Sequence, residues 1–160
     1  MKLLENCPYV HRAAVESPVA LAIVRAGDRT NATTVSFFSE VAHHPTSLWI
    51  AISSQSFTHA LLTEKDEFSL VTLQNQQAKI AVACGTESGR KTDKCGPLDL
   101  YDNGSGFLFL REALASTACR IFRRVPMGDH TLFLAKILSG DVYRARRNLR
   151  NLLISDLKAL

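Results

Sequence analysis

The 160-residue sequence predicts a mainly β domain with an antiparallel barrel architecture. Short apolar or alternating segments recur along the chain, and Gly, Pro, Asp and Ser residues separate them. The helical segments between them are brief, which favours a barrel over the parallel sheet of repeated βαβ units. Hydrophobic residues make up 46% of the chain and charged residues 21%, which are the proportions of a globular domain with its own core.

Two hairpins are predicted, one in each half of the chain. Residues 19–25 are rich in β-forming side chains, a turn follows at residues 26–29, and residues 30–38 continue as a second strand. Residues 118–125 and 131–138 form the other hairpin around a Pro-Met-Gly-Asp-His turn. Both pairs therefore supply strands that are neighbours in sequence and antiparallel in the sheet.

The segment between the hairpins predicts two strands and two short helices. Residues 47–53 have apolar side chains on both faces, as a central strand does, and residues 67–73 form a further strand. Ser56 is a suitable N-cap for a short helix directly after the first of these strands. A second helix is predicted over residues 76–84, with Gly85 ending it.

The C-terminal tail differs from the rest of the chain in charge and in pattern. Residues 142–160 hold five basic residues and one acidic residue, which accounts for the whole net charge of +4. Leucines recur there at helical spacing, at Leu149, Leu153, Leu157 and Leu160. We expect residues 1–143 to form the barrel domain and residues 144–160 to form a basic amphipathic helix. Because the body is neutral, a nucleic-acid partner is not expected.

The sequence lacks the motifs of several common nucleotide-binding and catalytic sites. The chain contains no GxGxxG, GxxxxGK[ST], GxSxG or HExxH segment. Its four cysteines lack zinc-site spacing, and the adjacent His43 and His44 would point to opposite faces of a strand, so no metal site is expected. No apolar run approaches the ~20 residues that cross a bilayer, and the N-terminus lacks a secretory signal. We therefore expect a cytoplasmic protein with reduced thiols and no membrane partner.

Two hydroxyl-rich segments are candidates for ligand binding. Residues 31–39 contain four Thr and Ser residues in a strand pattern, and residues 53–58 are rich in Ser and Thr at a helix start. From the residues alone, a half-exposed strand and a capped turn without a ligand are the favoured explanation of these segments. Hydroxyls together with the first N–H groups of a helix also suit a phosphate. The long Gly-, Asp- and Ser-rich loop over residues 86–106 is of a kind that often carries function.

Taken in order, the segments resemble the flavin reductase-like family, the FMN-binding split barrels. The resemblance covers about residues 15–142, and no single motif in it is specific. The matching segments are residues 18–24, residues 31–41, Pro45, Ser56-x-Thr58, residues 68–73, Gln77-x-x-Ile80-Ala81, Ser88-Gly89 with Asp93-Lys94, and Ala118-Cys119-Arg120 followed by Gly128-Asp129-His130 and the strand after it. It implies a six-stranded antiparallel split β-barrel with short helices.

The resemblance also implies a site, an FMN groove completed by the second subunit of a homodimer. The residues implied to hold the isoalloxazine ring, partly through backbone groups, are Thr33, Thr34, Val35, Ser36 and Phe37. Ser56 and Thr58 would hold the phosphate, with Arg90 and Lys94 reaching it from the long loop. The implied catalytic residue is His130, beside the flavin and the nicotinamide. The alternative for His130 is a turn residue that donates to a carbonyl.

The function that the resemblance implies is hydride transfer from NAD(P)H to a flavin. The protein would be an NAD(P)H-dependent flavin reductase or the reductase component of a two-component monooxygenase, with FAD or riboflavin as other flavins. A non-catalytic flavin-binding, heme-binding or electron-carrier protein on the same barrel is the alternative. A third hypothesis, a nucleic-acid-associated protein that uses the basic tail, is the weakest because the body is neutral.

Overall fold

The computed structural model describes residues 16–143 and 150–157. Within these residues the chain folds into nine strands and three α-helices. The strands are β1 Ala20–Ala26, β2 Arg29–Val35, β3 Phe38–His43, β4 Thr46–Ser53, β5 Glu67–Thr72, β6 Leu100–Asp102, β7 Leu108–Leu110, β8 Ala115–Met127 and β9 His130–Val142. The helices are α1 Phe57–Glu64, α2 Ala78–Thr86 and α3 Ile154–Leu157, and a 3-10 turn at Asn75–Gln77 leads into α2.

Seven of the strands form one antiparallel sheet in the order β2-β1-β5-β8-β9-β4-β3, and β6 pairs with β7 in a separate hairpin. The mainly β, antiparallel class is therefore confirmed. Every strand of the main sheet except β3 contributes buried side chains to one interior core. These six strands agree with the six-stranded split barrel. Leu61 and Leu62 of α1 join that core. The sheet order is open, since its end strands β2 and β3 are not paired with each other.

Tight glycine turns explain both predicted hairpins. Gly27 lies between β1 and β2 with φ +63°, and Gly128 lies between β8 and β9 with φ +61°. Backbone of this left-handed kind strains residues that carry a Cβ, so glycine suits both turns. The second hairpin is longer than expected, since its strands pair from Met127 opposite His130 to Ala115 opposite Val142.

The strand at Phe38–His43 is a difference from the sequence prediction. Residues 30–38 were expected to form one strand, but β2 ends at Val35. The carbonyl of Phe37 then accepts the N–H of Ala51, and β3 pairs with β4. This places β4 between β3 and β9, so its predicted central position is confirmed.

A second core lies on the other face of β1. Alternate residues of this strand face the two cores, with Ala22 and Val24 in the barrel interior and Leu21 and Ile23 on the outer side. The outer core is covered by α2 and by Leu152, which is fully buried. Burial on both faces explains why β1 reads as a continuous apolar run rather than as an alternating one.

The expected continuous helix over residues 144–160 is wrong at residues 150–153. There the backbone is extended, and Leu152 donates to the carbonyl of Leu73 and accepts from Val19, both at 2.8 Å. These bonds to the ends of β1 and β5 replace helical ones, and the helix begins only at Ile154. Leu149, Leu160 and the arginines between residues 144 and 149 lie outside the described residues.

The two internal helices follow the sequence prediction closely, with one correction. Ser56 caps α1, because its Oγ accepts the N–H of His59 at 3.0 Å. Gly85 does not end α2, which continues to Thr86. It serves close packing instead, since a Cβ at Gly85 would lie 3.2 Å from Cβ of Thr34. In the described part of the chain, no helix is long and apolar enough to span a membrane.

Candidate functional site

A groove runs along one end of the sheet and consists of two adjoining pockets that share Thr33, Ser53 and Ser56. The polar pocket, of about 300 Å³, lies between β2, the start of α1 and the loop after α2. The aromatic pocket, of about 190 Å³, lies between the ends of β2 and β4 and the start of β9. Together they offer an elongated site with two chemically different ends.

Backbone hydrogen bonds bring the two ends together. Ser53 at the end of β4 pairs with His130 at the start of β9. The next residue, Ser54, donates its N–H to the carbonyl of Asp129 at 2.9 Å, and Ser56 donates to the carbonyl of Ser53 at 3.0 Å. The turn before α1 is therefore fixed against the turn before β9.

Ser56 and the start of α1 form one wall of the polar pocket. The Ser56 hydroxyl accepts the His59 N–H and keeps its own proton available for a ligand. The first N–H groups of a helix have no partner within the helix, so they also favour an anion here. Thr58 lines the same pocket but is fully buried, and its Oγ1 accepts from Nδ2 of Asn31 at 2.7 Å.

Asn31 is the site residue that the sequence analysis missed. It is 2% exposed, lines the polar pocket, and its Oδ1 has no hydrogen-bond partner among the described residues. A Cβ on Gly89 would lie 1.9 Å from this oxygen, so the loop approaches it as only glycine allows. An unpaired buried amide oxygen is costly, and a ligand hydroxyl in the groove would satisfy it. A buried asparagine within a strand, where asparagine is disfavoured, was the available signal.

Lys94 places a buried positive charge in the polar pocket. It is 9% exposed, and its Nζ donates to the carbonyls of Cys84 at 2.9 Å and Glu87 at 3.0 Å. Burial lowers its pKa, since desolvation disfavours the charged form. No ion pair of Lys94 with a carboxylate occurs within residues 16–143 and 150–157. An ammonium has three donors, so one N–H and the charge itself remain for an anion.

Arg90 lies at the rim of the polar pocket. Its Nη1 donates to the carbonyl of Gln55 at 3.0 Å, and its guanidinium lies 5.5 Å from the centre of the Phe57 ring. These contacts hold the loop after α2 over the start of α1. A guanidinium has five N–H groups, so Arg90 keeps further donors that a ligand could use.

The aromatic pocket is lined by residues 33–37 and by His130. The rings of Phe37 and His130 lie 5.9 Å apart at 60°. Thr34 directs its hydroxyl away, donating to the carbonyl of Ala81 at 2.5 Å, and Val35 belongs to the barrel core. Thr34 and Val35 therefore contribute backbone groups to the groove, while Phe37 contributes its ring.

His130 is held by its neighbour in the turn. Its Nδ1 lies 2.8 Å from Oδ1 of Asp129, and this bond lowers the pKa of the Asp129 carboxyl. With Nδ1 engaged, Nε2 is the nitrogen that remains for a ligand, and the side chain is 30% exposed. The structure thus gives the imidazole a carboxylate partner rather than the carbonyl of the alternative interpretation.

The family of the chain is decided by comparison with family models. A model described as the flavin reductase like domain matches residues 12–154, which is most of the chain. The chain belongs to the flavin reductase-like family.

Two relatives and one solved structure illustrate the similarity. The reductase component of an FADH2-dependent resorcinol hydroxylase from Rhizobium sp. (strain MTP-10005) is 31% identical over 82% of this chain and 75% of its own. An NADH-dependent FMN reductase from Streptomyces nodosus subsp. asukaensis is 28% identical over 74% of this chain and 65% of its own. The NADH:FAD oxidoreductase of Streptomyces globisporus, solved with NAD and FAD fragments, matches the fold with a TM-score of 0.83 at 23% identity, over 98% and 94% of the two chains.

The groove of this flavin reductase-like chain fits a flavin nucleotide. Its polar pocket offers an ammonium that forms no ion pair with a carboxylate among the described residues, a hydroxyl and an unpaired buried amide oxygen, which suit a phosphate and a polyol chain. Its aromatic pocket offers a ring, an imidazole and backbone groups, which suit a flat heterocycle. All ten residues that the sequence predicted for the site line this groove: Thr33, Thr34, Val35, Ser36, Phe37, Ser56, Thr58, Arg90, Lys94 and His130.

Other cavities and clusters do not share this chemistry. A separate cavity of about 340 Å³ lies near the far ends of β8 and β9, lined by Tyr101, Arg111 and Asp141 among others, and no predicted site residue contacts it. Among the described residues, no three His, Cys, Asp or Glu side chains are grouped as a metal site. His43 instead lies 2.9 Å from Glu40 on β3.

Proposed function

We propose that this protein is an NAD(P)H-dependent flavin reductase that binds FMN in the groove described above. The observation that carries the proposal is the pairing of two ends in one groove. The buried Lys94 ammonium stands at one end, and the Phe37–His130 ring pair stands at the other. FMN carries an anionic phosphate and a flat ring at the corresponding ends of one molecule.

The chain supplies binding and orientation, while the flavin, when bound, supplies the hydride-accepting chemistry. The Ser56 hydroxyl, the first N–H groups of α1 and the Lys94 ammonium hold the phosphate. Backbone groups of residues 33–37 hold the edge of the ring. His130, oriented by Asp129, would present Nε2 to the nicotinamide.

The proposed assembly is a homodimer whose second subunit completes the aromatic pocket. Large apolar side chains lie exposed on β3, β8 and β9, namely Val41 and Phe122, each 52% exposed, and Leu138, 44% exposed. Phe37, at the aromatic pocket itself, is 38% exposed. Sedimentation equilibrium at micromolar concentration tests this, and a monomer that still binds flavin would contradict it.

We also propose a cytoplasmic location and transfer of the reduced flavin to a flavin-dependent monooxygenase. The support is that the relative from Rhizobium sp. is named as a reductase component of such a hydroxylase. The proposed role requires that FMN leaves the groove after reduction. Oxidation of a partner's substrate only when both proteins, NADH and FMN are present would be the expected result.

Equilibrium titration is the first test of the proposed function. Purified protein should quench FMN fluorescence and should bind riboflavin more weakly, because riboflavin has no phosphate for Lys94 and Ser56. NAD(P)H oxidation with added FMN then separates the reductase from a non-catalytic flavin-binding protein, which would bind without turnover. Failure to bind FMN, FAD or riboflavin would rule out both.

A further inference from the structure

The residue His59 links the two ends of the groove without lining either pocket. His59 is the third residue of α1, and its Nε2 lies 2.9 Å from Oγ1 of Thr131. Thr131 follows His130 in β9 and is 8% exposed. The same histidine donates its backbone N–H to Oγ of Ser56 at 3.0 Å. His59 therefore contacts both the residue that caps the polar pocket and the neighbour of the imidazole in the aromatic pocket.

The surroundings of His59 fix its ring. The imidazole packs edge-on against Phe133, with ring centres 5.6 Å apart at 68°, and Phe133 is fully buried. The guanidinium of Arg124 lies 5.9 Å from that same Phe133 ring. Burial lowers the pKa of His59, and the positive charge of Arg124 lowers it further. The neutral ring has one donor and one acceptor, which suits a single bond to a hydroxyl.

Neither partner of this bond lines the groove. His59 and Thr131 are both absent from the walls of the polar and aromatic pockets as the described residues form them. A direct ligand contact therefore does not explain the bond. The position of the bond explains it better. The bond joins α1, whose start offers phosphate donors, to β9, whose start carries His130.

We propose that His59 is a positioning residue that fixes the start of α1 against β9, so that the phosphate and the ring of one flavin are held at the same time. This inference rests on the proposed function. When the bond is lost, α1 remains attached through Leu61 and Leu62 in the core, but its first turn is less firmly placed. The phosphate contact then weakens, while ring binding between β2 and β9 persists.

The inference predicts which flavin is affected. FMN needs both pockets, whereas riboflavin lacks the phosphate and needs the placement of α1 much less. One hydrogen bond contributes on the order of 1 kcal/mol, so its loss raises the FMN dissociation constant about fivefold to tenfold. The riboflavin dissociation constant should change by less than about twofold, since none of its contacts is lost.

The experiment compares FMN and riboflavin dissociation constants, measured by fluorescence quenching, in variants of the full chain. His59→Phe and Thr131→Val should each raise the constant for FMN alone, and the double variant should be no worse than either single one. His59→Gln, whose amide can reach the same hydroxyl, should restore FMN affinity. Thr117→Val, the same change near the start of β8, serves as the control and should leave both constants unchanged.

Two results would overturn the inference. The first is an equal rise in both constants in His59→Phe, and the second is an unchanged ratio of the constants with a lowered melting temperature, which indicates support of the fold alone. These differ from a failure of the proposed function, in which the unaltered protein binds neither flavin and the inference fails with it. Binding of both flavins by the unaltered protein, with the ratio changed only in the His59 and Thr131 variants, is the expected outcome.

Discussion

At the scale of single residues, the groove combines side chains that face the ligand with side chains that hold them in place. Ser56 does both, because its hydroxyl caps α1 and also faces the polar pocket. Lys94 also does both, since it binds two carbonyls at the end of α2 and keeps its charge for an anion. Substitutions here change stability and binding together, so paired variants are needed to separate the two effects.

Ser56→Ala and Ser56→Asp are such a pair of variants. Ser56→Ala should lower stability by about 1 kcal/mol through loss of the cap. It should also weaken FMN binding by about 1.5–3 kcal/mol, since a hydrogen bond to a charged phosphate is lost. Ser56→Asp should restore the cap and the melting temperature, because aspartate is a good N-cap, yet its charge should repel the phosphate. FMN binding by Ser56→Asp at the level of the unaltered protein would show that the phosphate lies elsewhere.

Variants of His130 should distinguish the use of the nicotinamide from the binding of the flavin. His130→Ala should lower NAD(P)H oxidation by about fivefold or more, the effect of losing one hydrogen bond, and should leave FMN affinity nearly unchanged. His130→Asn is the matched variant, since asparagine suits turns and can still donate. Steady-state kinetics alongside FMN titrations check this. Normal turnover in the alanine variant would remove His130 from the mechanism.

The lowered pKa of His59 predicts how stability depends on pH. The unfolded chain protonates this histidine near its ordinary value of 6.5, before the folded chain does. The unfolded state therefore binds more protons as the pH falls through 6.5, and folding stability decreases on acidification. His59→Gln should reduce the difference between melting temperatures at about pH 8 and about pH 5. An unchanged difference would show that His59 titrates normally.

The sequence predicted which residues line the groove better than it predicted what each of them contacts. The resemblance to the flavin reductase-like family, carried by segments in order along the chain, was enough to select ten residues that line one groove. The burial of Thr58 could not be predicted, because its partner Asn31 lies 27 positions away and is brought close only by β2. The bond from His59 to Thr131 spans 72 positions and was missed for the same reason.

At the scale of secondary-structure elements, the C-terminal segment shows where periodicity misleads. Leucines at helical spacing predicted one helix, yet residues 150–153 are extended because the ends of β1 and β5 offer free backbone groups. Asp156 supports this arrangement by accepting from Arg150 and from the N–H of Leu153, and Arg150 lowers the Asp156 pKa to about 2. Hairpins with tight glycine turns were easier to predict, since their signal is local.

The docking of this segment gives a stability prediction. Leu152 is fully buried in the outer core beside α2, so Leu152→Ala should cost about 2–5 kcal/mol in unfolding free energy. Leu153→Ala, at a half-buried neighbour, is the control and should cost clearly less. Urea unfolding measures both. Equal small costs would indicate that the segment does not pack on the barrel in solution.

At the scale of the whole molecule, the sheet explains why one groove can hold both ends of a flavin nucleotide. The seven-stranded order leaves β2 and β3 unpaired with each other, and α1 enters the core beside them. The starts and ends of β2, β4, α1 and β9 meet there, so the residues proposed to bind the phosphate and the ring lie side by side.

Reduction of FMN by NADH or NADPH under anaerobic conditions tests the central claim most directly. In the absence of oxygen, loss of the oxidised flavin absorbance should require the protein, the nicotinamide and FMN together. It should be slower with riboflavin and slower again in Ser56→Asp, because both changes remove or oppose the phosphate contact. FMN that binds in the groove but is not reduced by either nicotinamide would contradict the account.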